Sequence, residues 1–200
     1  MYAWNVPSTR FDDLVTFAEE HDGLFTAEQA RESGFTDSVL SRLAQRGRIE
    51  RTGRGVYRIP YVPINRLSQY REAVLWARAH RGPESVALSH ETALAVYGVS
   101  DANPAAIHLT VPKVARLRRE SPRAVVIHRD VLTDEEVTVI EGLPVTTMTR
   151  TVGDLLRAGG RLDLIVQAIG DARKVGYISS AESQRLRRAV KRHAERLRAA

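Results

Sequence analysis

Apolar residues recur at helical spacing at Phe11, Leu14, Val15 and Ala18, so the stretch from Phe11 to His21 reads as a helix with one buried face. Thr26 followed three residues later by Gln29 is a capping box: the hydroxyl accepts from free N–H groups and the amide reaches back. The helix it opens runs through Ala30 to Ser33 and stops at Gly34, where a left-handed residue costs glycine little. Thr36 is placed to cap a third helix, whose Val39, Leu40 and Leu43 face inward and whose end is Gly47. The period then falls to two. Ile49 alternates with Arg48 and Glu50, and Val56 to Ile59 form a second short strand beyond the tip Gly53-Arg54-Gly55. Three helices and a hairpin in this order predict a winged helix-turn-helix over residues 1–60.

Two prolines, Pro60 and Pro63, interrupt both helical and strand hydrogen bonding and predict the start of a second domain over residues 61–200. Its first helix spans Ser68 to His80 on Tyr70, Val74 and Ala77, and Gly82-Pro83 stops it. Ser89 opens a helix through Tyr97, closed by Gly98. Alternation then predicts strands at Ile107–Val111 and Val125–His128, and a hairpin of Val137–Ile140 with Leu143–Thr147 across Glu141-Gly142. Helices return at Thr151–Leu156, where Thr151 and Asp154 fit a capping pair, and at Leu162–Ala172. Ser179 with Glu182 caps a last helix whose Leu186, Val190, His193 and Leu197 lie along one stripe. The fold class is therefore α+β: a winged helix, then a mixed domain with a small sheet and a basic C-terminal helix.

Charge sharpens this reading by its position more than by its total. The 200-residue chain carries +6, but residues 1–34 hold two Arg against seven acidic residues, while residues 35–60 hold six Arg against two. The winged helix is thus polarised, with its positive end on the third helix and the wing. Such a dipole suits a polyanion and makes binding fall steeply with salt. A second excess lies in residues 173–200, nine basic side chains against two Glu. A basic amphipathic helix suits DNA, RNA, an acidic partner or a membrane surface; a docked helix with a solvated outer face is the simpler alternative. Arginine outnumbers lysine 27 to 3, so coding bias accounts for part of the basic character, and the clustering is the better witness.

The third helix presents Ser38, Ser41, Arg42, Gln45 and Arg46 on the face opposite its apolar stripe. Arg pairs bidentately with guanine and Gln with adenine, so this face is expected in the major groove, while Arg51, Arg54 and Arg58 of the wing are expected on phosphates. The alternative is a structural winged helix whose arginines merely solvate a surface. With no cysteine in the chain, disulfides and cysteine zinc sites are excluded. No apolar run approaches a membrane span and no signal-peptide pattern opens the chain, so a cytoplasmic location is expected and no membrane partner. The six histidines show no helical His-x-x-x-His pair, so no metal site is expected; His108 and His128 on neighbouring strands read as satisfied, partly buried side chains. Ser89-His90-Glu91 imitates a catalytic trio only in name, since consecutive residues do not project into one site, and Ser89 reads as a helix cap. No phosphate-binding loop exists and no cofactor is expected. Arg116, Arg118, Arg119 and Arg123 surround a Ser-Pro turn and read as an exposed basic loop.

Several segments in this order carry a resemblance. The winged helix, Leu88-Ser89-His90-Glu91-Thr92-Ala93-Leu94-Ala95 with Tyr97-Gly98-Val99, Ile107-His108-Leu109-Thr110-Val111-Pro112, and Gly142-Leu143-Pro144-Val145-Thr146-Thr147 leading into Arg150-Thr151-Val152-Gly153-Asp154-Leu155 resemble the AbiEi-type antitoxins of type IV toxin–antitoxin systems. The resemblance spans about residues 11 to 160, and the order of its motifs gives it weight. It implies a protein that is not an enzyme, that neutralises a co-encoded nucleotidyltransferase toxin and that represses the shared operon through promoter inverted repeats in double-stranded DNA, with protomers pairing on the two half-sites. It assigns DNA binding to the winged helix and antitoxicity to the C-terminal domain. Beyond Asp154 stand Asp163 and Asp171 but no later carboxylate-and-lysine cluster, so a metal nuclease site is not expected. A ligand-responsive winged-helix repressor without a toxin partner is the alternative.

Overall fold

The structure is a computed structural model that describes residues 10–79, 83, 85–115, 117 and 124–199. The basic loop of Arg116, Arg118, Arg119 and Arg123, and His80 at the expected end of its helix, lie outside these residues. The chain is mixed α+β and divides into two compact units. Residues 10–79 belong to the first; 85–115 and 124–199 belong to the second.

The first unit is built by α1 (Arg10–Glu19), β1 (Leu24–Thr26), α2 (Ala27–Glu32), α3 (Asp37–Gln45), β2 (Glu50–Gly53), β3 (Val56–Arg58) and α4 (Ser68–Arg78). The capping box forms as spelled: the Thr26 N–H donates to Gln29 Oε1 at 2.7 Å and the Gln29 N–H to Thr26 Oγ1 at 3.2 Å. Thr36 Oγ1 accepts from the Val39 N–H at 3.3 Å and starts α3. The wing has a strand that the sequence pattern does not reveal. β1 pairs antiparallel with β3, which pairs with β2 in turn, giving the order β1-β3-β2. All three residues of β1 are buried, so no alternation marks it. Leu14, Ala18, Phe25, Leu40, Ile49 and Ile59 make the core beneath helices and wing, each at most 1% exposed. Gly23 fits only as glycine: its φ is +77° and a Cβ would come within 2.8 Å of Val62 Cβ. The helix expected beyond the proline break, α4, packs on β1 and β3, and its Tyr70, Val74, Trp76 and Ala77 are buried. The first compact unit thus continues past Pro60 and Pro63.

The second unit contains β4 (Ala87–Leu88), α5 (His90–Tyr97), β5 (Ile107–Val111), β6 (Val125–Arg129), β7 (Val137–Ile140), β8 (Leu143–Thr146), α6 (Met148–Arg157), α7 (Leu162–Lys174) and α8 (Ser180–Ala199). Its five-stranded sheet runs β6-β5-β4-β8-β7. β5 pairs parallel with β6 and β4 parallel with β8, while β4–β5 and β7–β8 are antiparallel. β4 stands at the centre with only two residues, too few to show a period. The β7–β8 hairpin turns at Glu141 and Gly142, both with positive φ, as its turn type requires. Leu88, Leu109, Leu143 and Val145 fill one side of the sheet against α5, and Ile165 and Ile169 of α7 extend that core.

Two local expectations change in this unit. Thr151 does not cap a helix; α6 starts at Met148, with Thr147 Oγ1 accepting from the Arg150 N–H. Thr151 lies inside it, fully buried, its hydroxyl donating to Thr146 O at 3.0 Å. On α8, Leu186 and Val190 are buried, whereas Leu197 is 60% exposed, so the apolar stripe docks only in its first half. No described helix is long and apolar enough to cross a membrane.

Candidate nucleic-acid interface and a histidine cleft

α3 turns Leu40 into the core, with Val39 and Leu43 partly buried beside it, which forces the rest of its surface outward. Ser38, Ser41, Arg42, Gln45 and Arg46 are all exposed. Among the described residues, Arg42 and Arg46 have no acidic partner. Ser38 Oγ lies 2.9 Å from Thr36 Oγ1, beside the cap. On the wing, Arg51 is exposed, its Nε donating to Gly53 O at 3.3 Å, and Arg54 projects from the tip without a partner among the described residues. Arg58 stands apart from these. It is half-buried and donates to Glu50 Oε2 at 2.7 Å across the β2–β3 ladder. Glu50 sits directly opposite it in register and holds the cation in this ion pair. Arg48 stacks its guanidinium 4.4 Å from the centre of the Phe11 ring, a contact that sequence spacing does not disclose.

The second unit has a site of a different kind. An open cleft of about 410 Å³ is lined by His90, Thr110, Ile127, His128, Arg129, Asp130, Arg150, Asp154, Arg157 and Ala158. Arg150 anchors its floor. Its side chain is 9% exposed, and Nε donates to both Asp154 oxygens at 2.8 and 3.1 Å. Nη1 donates to Glu136 and to Val131 O, and Nη2 to Asp130 at 2.8 Å. Arg157 reaches Asp154 from solvent. Burial works against the Arg150 charge, but Asp154, Glu136 and Asp130 overcome it and raise its pKa.

Above this floor three imidazoles meet. His90 opens α5, His108 lies on β5 and His128 on β6. The parallel register sets His128 opposite Thr110, diagonal to His108. His108 Nδ1 and His128 Nε2 are 2.9 Å apart, and the His90 ring stacks on His128 with centroids 3.6 Å apart. Ser89 Oγ bonds His90 Nδ1 at 3.0 Å, so Ser89 orients the histidine and makes no side-chain cap for α5. Burial, then electrostatic repulsion from His128, His108, Arg150 and Arg157, pushes His90 down to about 3. Burial lowers His108 and His128 as well, so all three rings are neutral at pH 7. Strand spacing points to the pair His108 and His128 but not to His90, because His90 stands at the start of α5 and meets them only when that helix packs on the sheet.

A family model described as "Transcriptional regulator, AbiEi antitoxin" matches residues 12–60, the segment holding α1 to the wing. The fold is similar to the crystal structure of the RV2827C protein from Mycobacterium tuberculosis, at 17% identity and a TM-score of 0.54 over 90% of this chain and 71% of that one. None of the curated proteins matches. Residues 12–60 of this chain therefore match the AbiEi antitoxin model of transcriptional regulators and carry its winged-helix-type domain.

Proposed function

We propose that the protein is a cytoplasmic antitoxin that represses its own operon and neutralises a co-encoded nucleotidyltransferase toxin. The observation that carries the DNA half is the row of exposed side chains on α3, Ser38, Ser41, Arg42, Gln45 and Arg46, with Arg51 and Arg54 on the wing beside it. In this reading α3 enters the major groove, where its guanidinium and amide groups meet base edges, and the wing lies along the backbone. Arg58 contributes by holding Glu50, a negative charge that would otherwise face phosphate uncompensated. Two promoter half-sites take two protomers. Antitoxicity is assigned to the second unit, following the resemblance that the order of its motifs bears to the family.

The test pairs two assays. The intergenic DNA upstream of the operon, offered to the purified chain, is expected to be bound ahead of random duplex. Co-expression with the neighbouring gene product is expected to restore growth, and a chain lacking the winged helix is expected to keep rescue while losing repression. A neighbouring gene product that does not arrest growth refutes the antitoxin half. The cleft of the second unit is the observation that favours a second reading, a repressor that responds to a small ligand, and an operon without an adjacent toxin gene would select it.

A further inference from the structure

The three imidazoles of the second unit are not used by the DNA-binding reading, and their donor atoms converge. We propose that His90, His108 and His128 form a binding site for one divalent ion of the zinc class. Their ligating nitrogens all lie within 4.8 Å of one another. Two nitrogens bound to one ion at about 2.0–2.1 Å stand about 2.9 Å apart at a right angle and about 3.3 Å apart at the tetrahedral angle. His108 Nδ1 and His128 Nε2, at 2.9 Å, need a shift of a few tenths of an ångström to close on it. At present they share a proton edge to edge, with centroids 5.2 Å apart and planes 15° apart; the ion takes the proton's place and each ring pivots toward it. His90 brings the third nitrogen. Ser89, fully buried, holds Nδ1 and leaves Nε2 as the donor, the outer-partner arrangement that fixes ligating histidines. Its ring must turn out of the stack on His128, because a lone pair lies in its ring plane and two stacked rings cannot aim at one point.

Two further observations point to an occupant. Thr110 lines the cleft at 1% exposure, and its Oγ1 has no hydrogen-bond partner among the described residues. A water carried by the ion in the open fourth position would supply that partner. His90 also holds a φ of +53°, a left-handed conformation that a side-chain-bearing residue adopts at a cost, so the fold keeps this ring in place against backbone preference. Three nitrogen donors without thiolate select zinc, nickel or copper over calcium and magnesium. Asp130 and Asp154, which also line the cleft, are engaged by Arg150 and Arg157 and stand outside the ligand set.

The full chain, stripped with chelator, is titrated with Zn²⁺ alone by calorimetry and with Co²⁺ by visible absorption. One ion per chain is expected, with cobalt ligand-field bands. His108→Gln and His128→Gln are each expected to weaken binding at least about tenfold, while His21→Gln and His193→Gln leave it unchanged. Thermal melts without metal identify variants that stay folded. A folded His108→Gln or His128→Gln chain that binds as tightly as the wild type overturns the proposal. So does a wild-type chain that takes up no stoichiometric ion, a result independent of any variant.

Discussion

Replacing Arg150 with methionine strips the cation from a carboxylate that has almost no water of its own. Asp154 is 3% exposed and Arg150 9%, and the guanidinium spans Asp154, Glu136, Asp130 and the Val131 carbonyl. Methionine fills most of the volume of the arginine stem but returns none of these bonds, so Asp154 is left buried and short of its main partner. Removing one member of a buried ion pair costs about 3–5 kcal/mol. Arg157 softens the loss because it also reaches Asp154, so the low end, about 3 kcal/mol, is expected. Arg157 is 64% exposed, and Arg157→Ala alone should cost less than about 1 kcal/mol. The two changes should combine to more than their sum, since both partners serve one carboxylate. Removing the charge as well, in Arg150→Met with Asp154→Leu, should recover part of the loss, because no orphaned anion remains. Urea unfolding followed by circular dichroism reads each value. A loss below about 1 kcal/mol for Arg150→Met would refute the claim that this network, within the Arg-Thr-Val-Gly-Asp motif, holds α6 to the segment after β6.

Further outcomes follow from other elements. Stability of the metal-free chain should fall as the pH drops below about 6.5, the ordinary histidine value. His90, His108 and His128 have folded pKa values below that, so the unfolded chain binds more protons and acid favours it. The slope is at most about 1.4 kcal/mol per pH unit for each histidine, and urea midpoints between pH 7.5 and 5 in the wild type and His90→Gln check it. Thr26→Ala removes the acceptor of the α2 cap and should cost about 1 kcal/mol in chemical unfolding. Leu186→Ala should cost about 2–5 kcal/mol, whereas Leu197→Ala should stay within about 0.5 kcal/mol, since only Leu186 is buried; melting temperatures separate them.

What was legible in the sequence was local chemistry. The Thr26 and Gln29 box, the Thr36 cap, the stops at Gly34, Gly47 and Gly98 and the hairpin at Glu141-Gly142 rest on neighbours a few residues apart, and these form as spelled. β1 and β4 escaped because three and two buried residues carry no period. Thr151 and Asp154 have the spacing of a cap, yet Thr147 caps α6 one turn earlier and Thr151 is buried inside the helix, its hydroxyl donating to Thr146 O. On the DNA face, exposure of the α3 residues follows from amphipathic spacing, whereas the capture of Arg58 by Glu50 depends on strand register, which spacing alone does not set. The histidine cluster lay furthest from view, since α5, β5 and β6 bring it together only when the sheet forms.

Salt-dependent binding to the cognate promoter and to random duplex, measured by fluorescence anisotropy on the wild type, Arg42→Ala, Arg46→Ala and Arg54→Ala, is the direct test of the α3 and wing assignment. With Arg51 and Arg54 on the backbone and Arg42 and Arg46 on base edges, log K is expected to fall against log salt with a slope of about −2 per bound domain from the wing. Arg54→Ala should weaken both DNAs alike and reduce that slope by about one, while Arg42→Ala or Arg46→Ala should cost about 1–3 kcal/mol on the promoter and much less on random DNA. Equal losses on both DNAs for the α3 variants, or binding indifferent to all three, would contradict the account.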